Sequence, residues 1–290
     1  MDMEREDGMT LACCATLMSD VSIEADIDDE PDAEVIPVRD FKGICTRIEQ
    51  LTPTIKALHF KLDAPIHYQA GQYVQVHIPG LGESRAFSIA NPPGLQGDAS
   101  EIELNVRLVP GGAATTWLHE QLSVGVEITI AGPYGRFFVR RSAAKPMVFI
   151  AGGSGLSSPR SMILELLASE CRDPITLIYG QRSKAELYYD QEFRELAEKH
   201  PHFTYIPVIS DSEAEDGWAG ARGYAHEAAK AHFDGCFAGN KAYLCGPPAM
   251  IEACISTLMQ GRLFENDIYT EKFLSAADAS QTRSPLFKRV

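Results

Sequence analysis

An antiparallel β-barrel followed by a doubly wound α/β domain is the fold class that this 290-residue sequence predicts. Three observations predict it. At 290 residues the chain is longer than a single core comfortably organises, so two domains are expected. Between Val38 and about Arg140, short segments alternate apolar and polar residues and are punctuated by Pro-Gly and Gly-Gly clusters, the pattern of antiparallel strands. After Lys145-Pro146, short continuous apolar runs alternate with helical patterns, as buried parallel strands and their covering helices do.

The barrel segments include Tyr73–Ile78, Glu101–Leu108 and Val126–Ile130, with one helical signal from Ala113 to Gln121. In the second half, Met147–Ala151 reads as a buried strand, followed by a glycine-rich turn and an apolar helix from Ser158 to Ala168. Ile175–Tyr179, Tyr205–Ile209 and Lys241–Cys245 give further strands, with helices across Leu187–His200 and Ala249–Gln260. The expected boundaries are a barrel over 38–143, an α/β domain over 144–275 and a tail over 276–290.

The first forty residues differ from the rest. They hold thirteen acids against Arg5 and Arg39, so most of the net charge of −14 lies there. The stretch Glu24–Glu34 has little to bury and reads either as a solvated linker or as an acidic tail. Elsewhere the chain has the composition of an ordinary globular protein, 45% hydrophobic and 23% charged, with mean hydropathy −0.12. A sequence pI near 5.0 without a basic stripe argues against nucleic acid or an anionic membrane as partner. No apolar run approaches the roughly 20 residues of a membrane span. The N-terminus has no cationic and apolar leader, and the odd number of cysteines (seven) follows no disulfide framework, so reduced thiols in a cytoplasm are expected.

Four motifs carry possible chemistry. Gly152-Gly-Ser-Gly155 lies between a buried strand and a helix, where glycine lets backbone approach a diphosphate and the helix end offers free N–H groups. A tight structural turn is the plainer reading, and neither the GxGxxG spacing nor a P-loop is present. Cys245-Gly-Pro-Pro248 closes a strand at the C-terminal end, where open α/β sheets bind ligands, although it also makes a rigid strand-to-helix turn. Arg85-Ala-Phe-Ser88 combines a cation for a diphosphate, an aromatic for stacking and a hydroxyl. Gly111-Gly-Ala-Ala-Thr115 leads into the barrel's helix and offers a second anion site. Two anion sites in one barrel suit a long diphosphate such as a flavin dinucleotide. The eight histidines include no HxxH or HExxH pair, and no GxSxG elbow occurs, so metal hydrolysis and serine hydrolysis are not expected.

In order, Arg-x-Phe-Ser at 85–88, Gly-Gly-x-x-Thr at 111–115, Gly-Pro-Tyr-Gly at 132–135, Gly-Gly-Ser-Gly-x-x-x-Pro at 152–159 and Cys-Gly-Pro-Pro at 245–248 resemble the ferredoxin–NADP reductase superfamily. The wording of Ala86–Pro93, Ile150–Pro159, Tyr243–Pro248 and Leu258–Phe264 is most similar to the reductase component of multicomponent phenol hydroxylases. The resemblance implies an FAD-containing NADH dehydrogenase module. In it Arg85 would bind the FAD pyrophosphate, Phe87 would lie against the isoalloxazine, Ser88 would donate toward N5, and Gly112 and Thr115 would hold the diphosphate's other side. Gly152, Gly153, Gly155 and Pro159 would shape the NADH diphosphate turn, with Cys245, Gly246 and Pro247 near the nicotinamide. Glu271 and Phe273 match the segment that brings a carboxylate and an aromatic to the flavin's nicotinamide face. Ser88, Cys245 and Glu271 are the expected catalytic residues.

Arg182 and Lys184 could take a 2′-phosphate, yet the resemblance favours NADH over NADPH. It also implies an oxygenase (hydroxylase) partner in an aromatic-ring monooxygenase. The family's N-terminal plant-type [2Fe–2S] ferredoxin domain is matched only by its last ligand segment, in which Cys13 aligns with the fourth ligand and Cys14 with its neighbour. A cluster needs four thiolates, so residues 1–37 are expected to be a ferredoxin remnant plus linker holding no cluster. Two other readings use the same ligands. One is a stand-alone flavin reductase or diaphorase. The other is a non-catalytic, redox-sensing flavin module engaging a partner through its acidic head, against which Cys245-Gly-Pro-Pro248 and Glu271 speak.

Overall fold

The computed structural model describes residues 18–20, 22, 30–94, 97–169, 171–211 and 217–273. Cys13, Cys14, most of the acidic stretch and the tail over 276–290 lie outside the described residues.

Six antiparallel strands form the first sheet: β1 (Arg39–Gln50), β2 (Ile55–His67), β3 (Tyr73–His77), β4 (Ser84–Ser88), β5 (Asp98–Arg107) and β6 (Glu127–Tyr134). Their order is β4-β3-β6-β1-β2-β5, and a bridge between Ile89 and Leu104 brings the β4 end onto β5, closing the sheet on itself. Alternation does the sorting. On β3 the side chains of Val74 and Val76 are buried while His77 is exposed, because neighbours on a strand face opposite sides. Helix α1 (Ala113–Glu120) turns Ala114 and Leu118 into the same core.

The second sheet is parallel, with β7 (Met147–Gly152), β8 (Ile175–Gln181), β9 (Phe203–Ile209), β10 (Ala221–Arg222), β11 (Lys241–Gly246) and β12 (Ile268–Lys272) in the order β10-β9-β8-β7-β11-β12. It winds outward from β7 in one direction, then returns to lay β11 on the other side. The switch point therefore falls between β7 and β11, and the crevice beyond their C-terminal ends is flanked by Gly152 and Gly246. Every residue of β7 and β11 is buried, which is why β7 reads as a continuous apolar run and β11 as one after Lys241.

Helices cover both faces. Phe149, Ala151, Leu177, Tyr243 and Cys245 pack on one side with α2 (Ser157–Ala168) and α3 (Asp190–Lys199). Val148, Ile150, Ile178 and Leu244 pack on the other with α4 (Ala225–His232) and α5 (Pro248–Gln260). The first of these cores runs without a break into the barrel's Ile55, Ala70, Phe137 and Val139, so α2 lies between the two sheets. That explains an N-terminal half buried on all sides, from Ser157 to Ile163. Pro159 is tolerated there because first-turn N–H groups have no intrahelical partner.

A polar lock joins the two sheets beside this core. Arg160 of α2 reaches across to Glu103 of β5 (3.2 Å) and the Ala90 carbonyl (2.9 Å), and also pairs with Glu192 of α3 (2.7 Å). Tyr189 donates its hydroxyl to Glu103, and the Arg160 guanidinium lies 4.0 Å from the Tyr189 ring centroid. Asn105 completes the shell with a 2.8 Å bond to Glu103. The helix expected across 187–200 begins only at Asp190, because Tyr189 turns left-handed (φ 57°) to reach this lock and Tyr188 is buried beneath the glycine loop. Among the described residues no helix is long and apolar enough to cross a membrane.

Candidate functional site

Register puts two of the site's groups together. Cys245 on β11 is the parallel-sheet partner of Glu271 on β12, so both side chains face the side that α2 covers. The N-terminus of α2 supplies Ser158 from above, and β4 of the barrel ends at Ser88 on the near side. All of them meet at one atom. Glu271 Oε2 accepts from Ser158 Oγ at 2.8 Å and from Ser88 Oγ at 3.2 Å, and lies 3.8 Å from Cys245 Sγ. The carboxylate thus joins residues from both sheets and the helix wedged between them.

The electrostatics follow from that enclosure. Crowding by protein pushes the Glu271 carboxyl above its ordinary value, only partly offset by hydrogen bonds from Ser158, Ser88 and Cys245. Burial, with the nearby Glu271 charge, holds the Cys245 thiol well above its usual range, so it is a neutral, compact sulfur rather than a thiolate. Tyr73 of β3 is raised by burial and by Glu271, and stacks on Tyr134 of β6 with ring centroids 5.6 Å apart.

Glycine makes the rest of the crevice. Gly155 carries the loop directly onto the end of β11, where an added Cβ would lie 2.5 Å from the Cys245 carbonyl oxygen. Gly153 has a left-handed φ of 59° that favours glycine, and an added Cβ there would lie 3.4 Å from Arg107 Nη1. Gly152 and Gly246 bring two backbones together across the switch point: a Cβ on Gly246 would be 3.1 Å from the Gly152 carbonyl oxygen. The Gly246 carbonyl accepts the Phe273 N–H at 3.1 Å, which returns the chain after β12 toward the same crevice. Phe273 itself is half-buried against the α/β core.

Ser88, Cys245 and Glu271, with the Gly246 and Phe273 backbones, are therefore brought together. Arg85 and Phe87 lie earlier on β4, opposite Val76 and Val74. Arg85 is exposed and pairs with Glu83 at 2.6 Å, while Phe87 is half-buried against the barrel core. Gly112 and Thr115 form the entry to α1. The Thr115 hydroxyl is engaged within that turn, donating to the Gly112 carbonyl (3.1 Å) and accepting from the Val109 N–H (3.1 Å). Pro159 is buried in α2, Pro247 caps α5, and Arg182 is exposed beyond β8.

Sequence reasoning missed Ser158, Tyr73 and Arg107. Ser158 lay inside a quoted glycine motif, and a serine preceding a helical proline could have marked it. Tyr73 and Arg107 carry no local signal, since each is an ordinary strand residue.

Open backbone surface suited to a diphosphate lies on each side of this meeting point. A Cβ on Gly111 (φ 74°) would meet nothing within 4 Å, leaving open surface beside the first turn of α1, and the exposed Arg85, paired with Glu83, lies on the same barrel. The glycine loop and Arg107 offer the corresponding surface above β7. Fold and site together define a two-domain flavin- and nicotinamide-binding oxidoreductase.

Known proteins agree. Residues 43–139 match the oxidoreductase FAD-binding domain family and residues 149–255 the oxidoreductase NAD-binding domain family. The chain is 54% identical over its whole length to the phenol 2-monooxygenase reductase component DmpP of Pseudomonas sp. (strain CF600), covering 82% of that protein. It is 51% identical, with the same coverage, to the phenol hydroxylase P5 protein of Acinetobacter pittii (strain PHEA-2). Among solved structures, the Amycolatopsis cytochrome P450 reductase GcoB superposes with a TM-score of 0.84 at 32% identity, over 93% of this chain and 80% of that one. The chain belongs to the ferredoxin–NADP reductase superfamily and, within it, to the reductase components of phenol hydroxylases.

Proposed function

We propose that this protein accepts a hydride from NADH onto FAD and passes the electrons singly to the oxygenase component of an aromatic-ring (phenol) monooxygenase in the cytoplasm. The observation that carries this reading is the convergence of Ser88, Ser158 and Cys245 on one Glu271 oxygen at the meeting of the two sheets. A hydride acceptor bound to the barrel and a donor bound to the α/β domain would meet at this point. Residues 38–143 form the flavin unit in this reading and residues 144–275 the nicotinamide unit.

FAD, when bound, supplies the change from two-electron to one-electron chemistry. The chain's own residues bind, orient and hold protons. Arg85, with Gly112 and Thr115 at the start of α1, would hold the flavin diphosphate, and Phe87 and Phe273 would border the ring system. Gly152, Gly153, Gly155 and Pro159 shape the NADH diphosphate seat. Cys245, Gly246 and Pro247 bound the nicotinamide seat, where a neutral thiol fills space without competing as a charge. Ser88 can turn its single proton from Glu271 toward a ligand on the β4 edge, and Glu271, with its raised carboxyl, can supply or take a proton there. NADH is preferred to NADPH, and Arg182, exposed beyond β8, would meet the ribose end.

Stopped-flow mixing of the FAD-loaded protein with NADH tests the reading. Rapid bleaching of the oxidised-flavin band is expected, faster with NADH than with NADPH. An unbleached flavin would leave only a non-catalytic binding module.

A further inference from the structure

Glu271 has more partners than orienting a carboxylate beside a flavin would require. Ser88 and Ser158 both donate to the same oxygen, and the shorter bond (2.8 against 3.2 Å) comes from Ser158. The two serines differ in where they stand. Ser88 ends an edge strand of the barrel and is itself buried, two residues beyond the exposed Ala86. Ser158 has no exposed surface and is held in the first turn of α2, between the two sheets, in hydrogen-bonding reach of the Cys245 thiol as well.

A serine hydroxyl has one proton to donate. If Ser88 were the sole hydroxyl donor, turning that proton to a ligand would leave the carboxylate only the long 3.8 Å contact from the Cys245 thiol and free it to move. A second donor, on a helix end that favours negative charge and is closed to solvent, removes this conflict.

We propose that Ser158 is a positioning residue of the reaction: its hydroxyl anchors the Glu271 carboxylate, so that Ser88 can give its proton elsewhere. This rests on the hydride-transfer reading above. Among the described residues, the groups facing Glu271 are Ser88 on β4, Tyr73 on β3, Cys245 on β11 and Ser158 on α2; Lys272, its neighbour on β12, pairs instead with Glu252 at 3.7 Å. Tyr73 and Cys245 are both raised and therefore neutral at pH 7. Ser158 is thus a main determinant of how Glu271 ionises.

The test follows the Glu271 carboxyl directly, by infrared titration of the FAD-loaded full chain without NADH, its band identified by loss in Glu271→Gln. Ser158→Ala, a smaller residue with high helix propensity, removes the donor, and Ser158→Thr retains a hydroxyl. Loss of a hydrogen bond to a charged group is expected to raise the Glu271 midpoint by about one pH unit in Ser158→Ala, with Ser158→Thr close to the parent. The pH profile of flavin bleaching by NADH should move by the same amount while the KM for NADH stays fixed. A Ser158→Ala midpoint equal to the parent's, or a Ser158→Thr midpoint shifted as far as Ser158→Ala, overturns the proposal. A parent that NADH does not bleach overturns the functional reading alone, because the carboxyl titration still decides the role of Ser158.

Discussion

Glu103 and Glu271 are both enclosed where the barrel meets the α/β domain, yet their surroundings treat them in opposite ways. Burial would raise Glu103, but Arg160 and the hydrogen bonds from Tyr189 and Asn105 outweigh it and hold the carboxyl below its ordinary value of 4.5. At Glu271 crowding again raises the carboxyl, and the neutral donors Ser158, Ser88 and Cys245 only partly answer it. A full positive partner makes the first carboxylate a permanent anion and a structural tie. Neutral hydroxyls and a thiol leave the second able to change protonation state, which is what proton handling requires. The same residue type within one interface thus becomes a rivet or a proton group, according to whether a guanidinium stands beside it.

Breaking the rivet should have the largest effect. Arg160→Ala leaves Glu103 and Glu192 without their cation, and a loss of about 3–5 kcal/mol in urea unfolding is expected. The Glu271 titration should hardly change in the folded fraction. A stability loss well under 1 kcal/mol would mean that the lock is screened by solvent and the contrast is false.

Breaking the proton group should do the reverse. Glu271→Gln is expected to slow flavin reduction by NADH roughly 10²-fold, the usual lower range for removing an acid–base group, with the fold intact. Reduction at the parental rate across the pH range would make Glu271 a spectator.

The glycine seat sharpens the comparison, because only the Glu271 side depends on it. Gly155→Ala drives a Cβ into the Cys245 carbonyl at 2.5 Å, where backbone must move, so the KM for NADH should rise about tenfold, consistent with ordinary overpacking costs. Gly152→Ala meets the flexible side chain of Met250 first and should change the KM much less. Equal effects would locate the nicotinamide seat elsewhere.

Acid titration of stability gives the smallest and most diagnostic difference. The Glu103 contribution is present above 4.5 and is lost as pH falls through its lower folded value, so Glu103→Gln should flatten the acid limb. Glu271 has the opposite sign: its raised folded value favours the native state at low pH and costs stability as pH rises through it. Glu271→Gln should therefore be slightly more stable than the parent at neutral pH, as thermal melting would show.

Much of this was legible in the chain. Met147–Ala151 and Lys241–Cys245 announced buried parallel strands because a sheet covered on both faces selects apolar side chains, the buried Lys241 at the start of β11 being satisfied by the Arg140 and Ala143 carbonyls. β1 was not picked out as an element, since Arg39–Gln50 buries little beyond Phe41 and Cys45 and its alternation is carried by charged outer residues, and in β2 the unbroken buried run Ala57–Phe60 interrupts the alternation. β12 and α4 were also missed: Ile268–Lys272 is an edge strand whose residues are all half-buried or exposed, and Ala225–His232 is short and alanine-rich.

The sequence by itself determined an antiparallel first half and a parallel α/β second half, the glycine-rich turn at the end of β7 and the presence of Cys245 and Glu271, because periodicity and turn chemistry are local properties. It did not determine which hydroxyl Glu271 would meet or which carboxylate would be neutralised. Ser88, Ser158 and Glu271 are 183 and 113 residues apart along the chain in their two pairings, and only the wedging of α2 between the sheets brings them to one oxygen. Arg160 lies two residues beyond Ser158 on the same helix turn, yet it points to Glu103 instead. A local pattern can specify a helix and its apolar side. The charge that each buried carboxylate feels is set by groups from other elements, and packing alone decides which of them arrive.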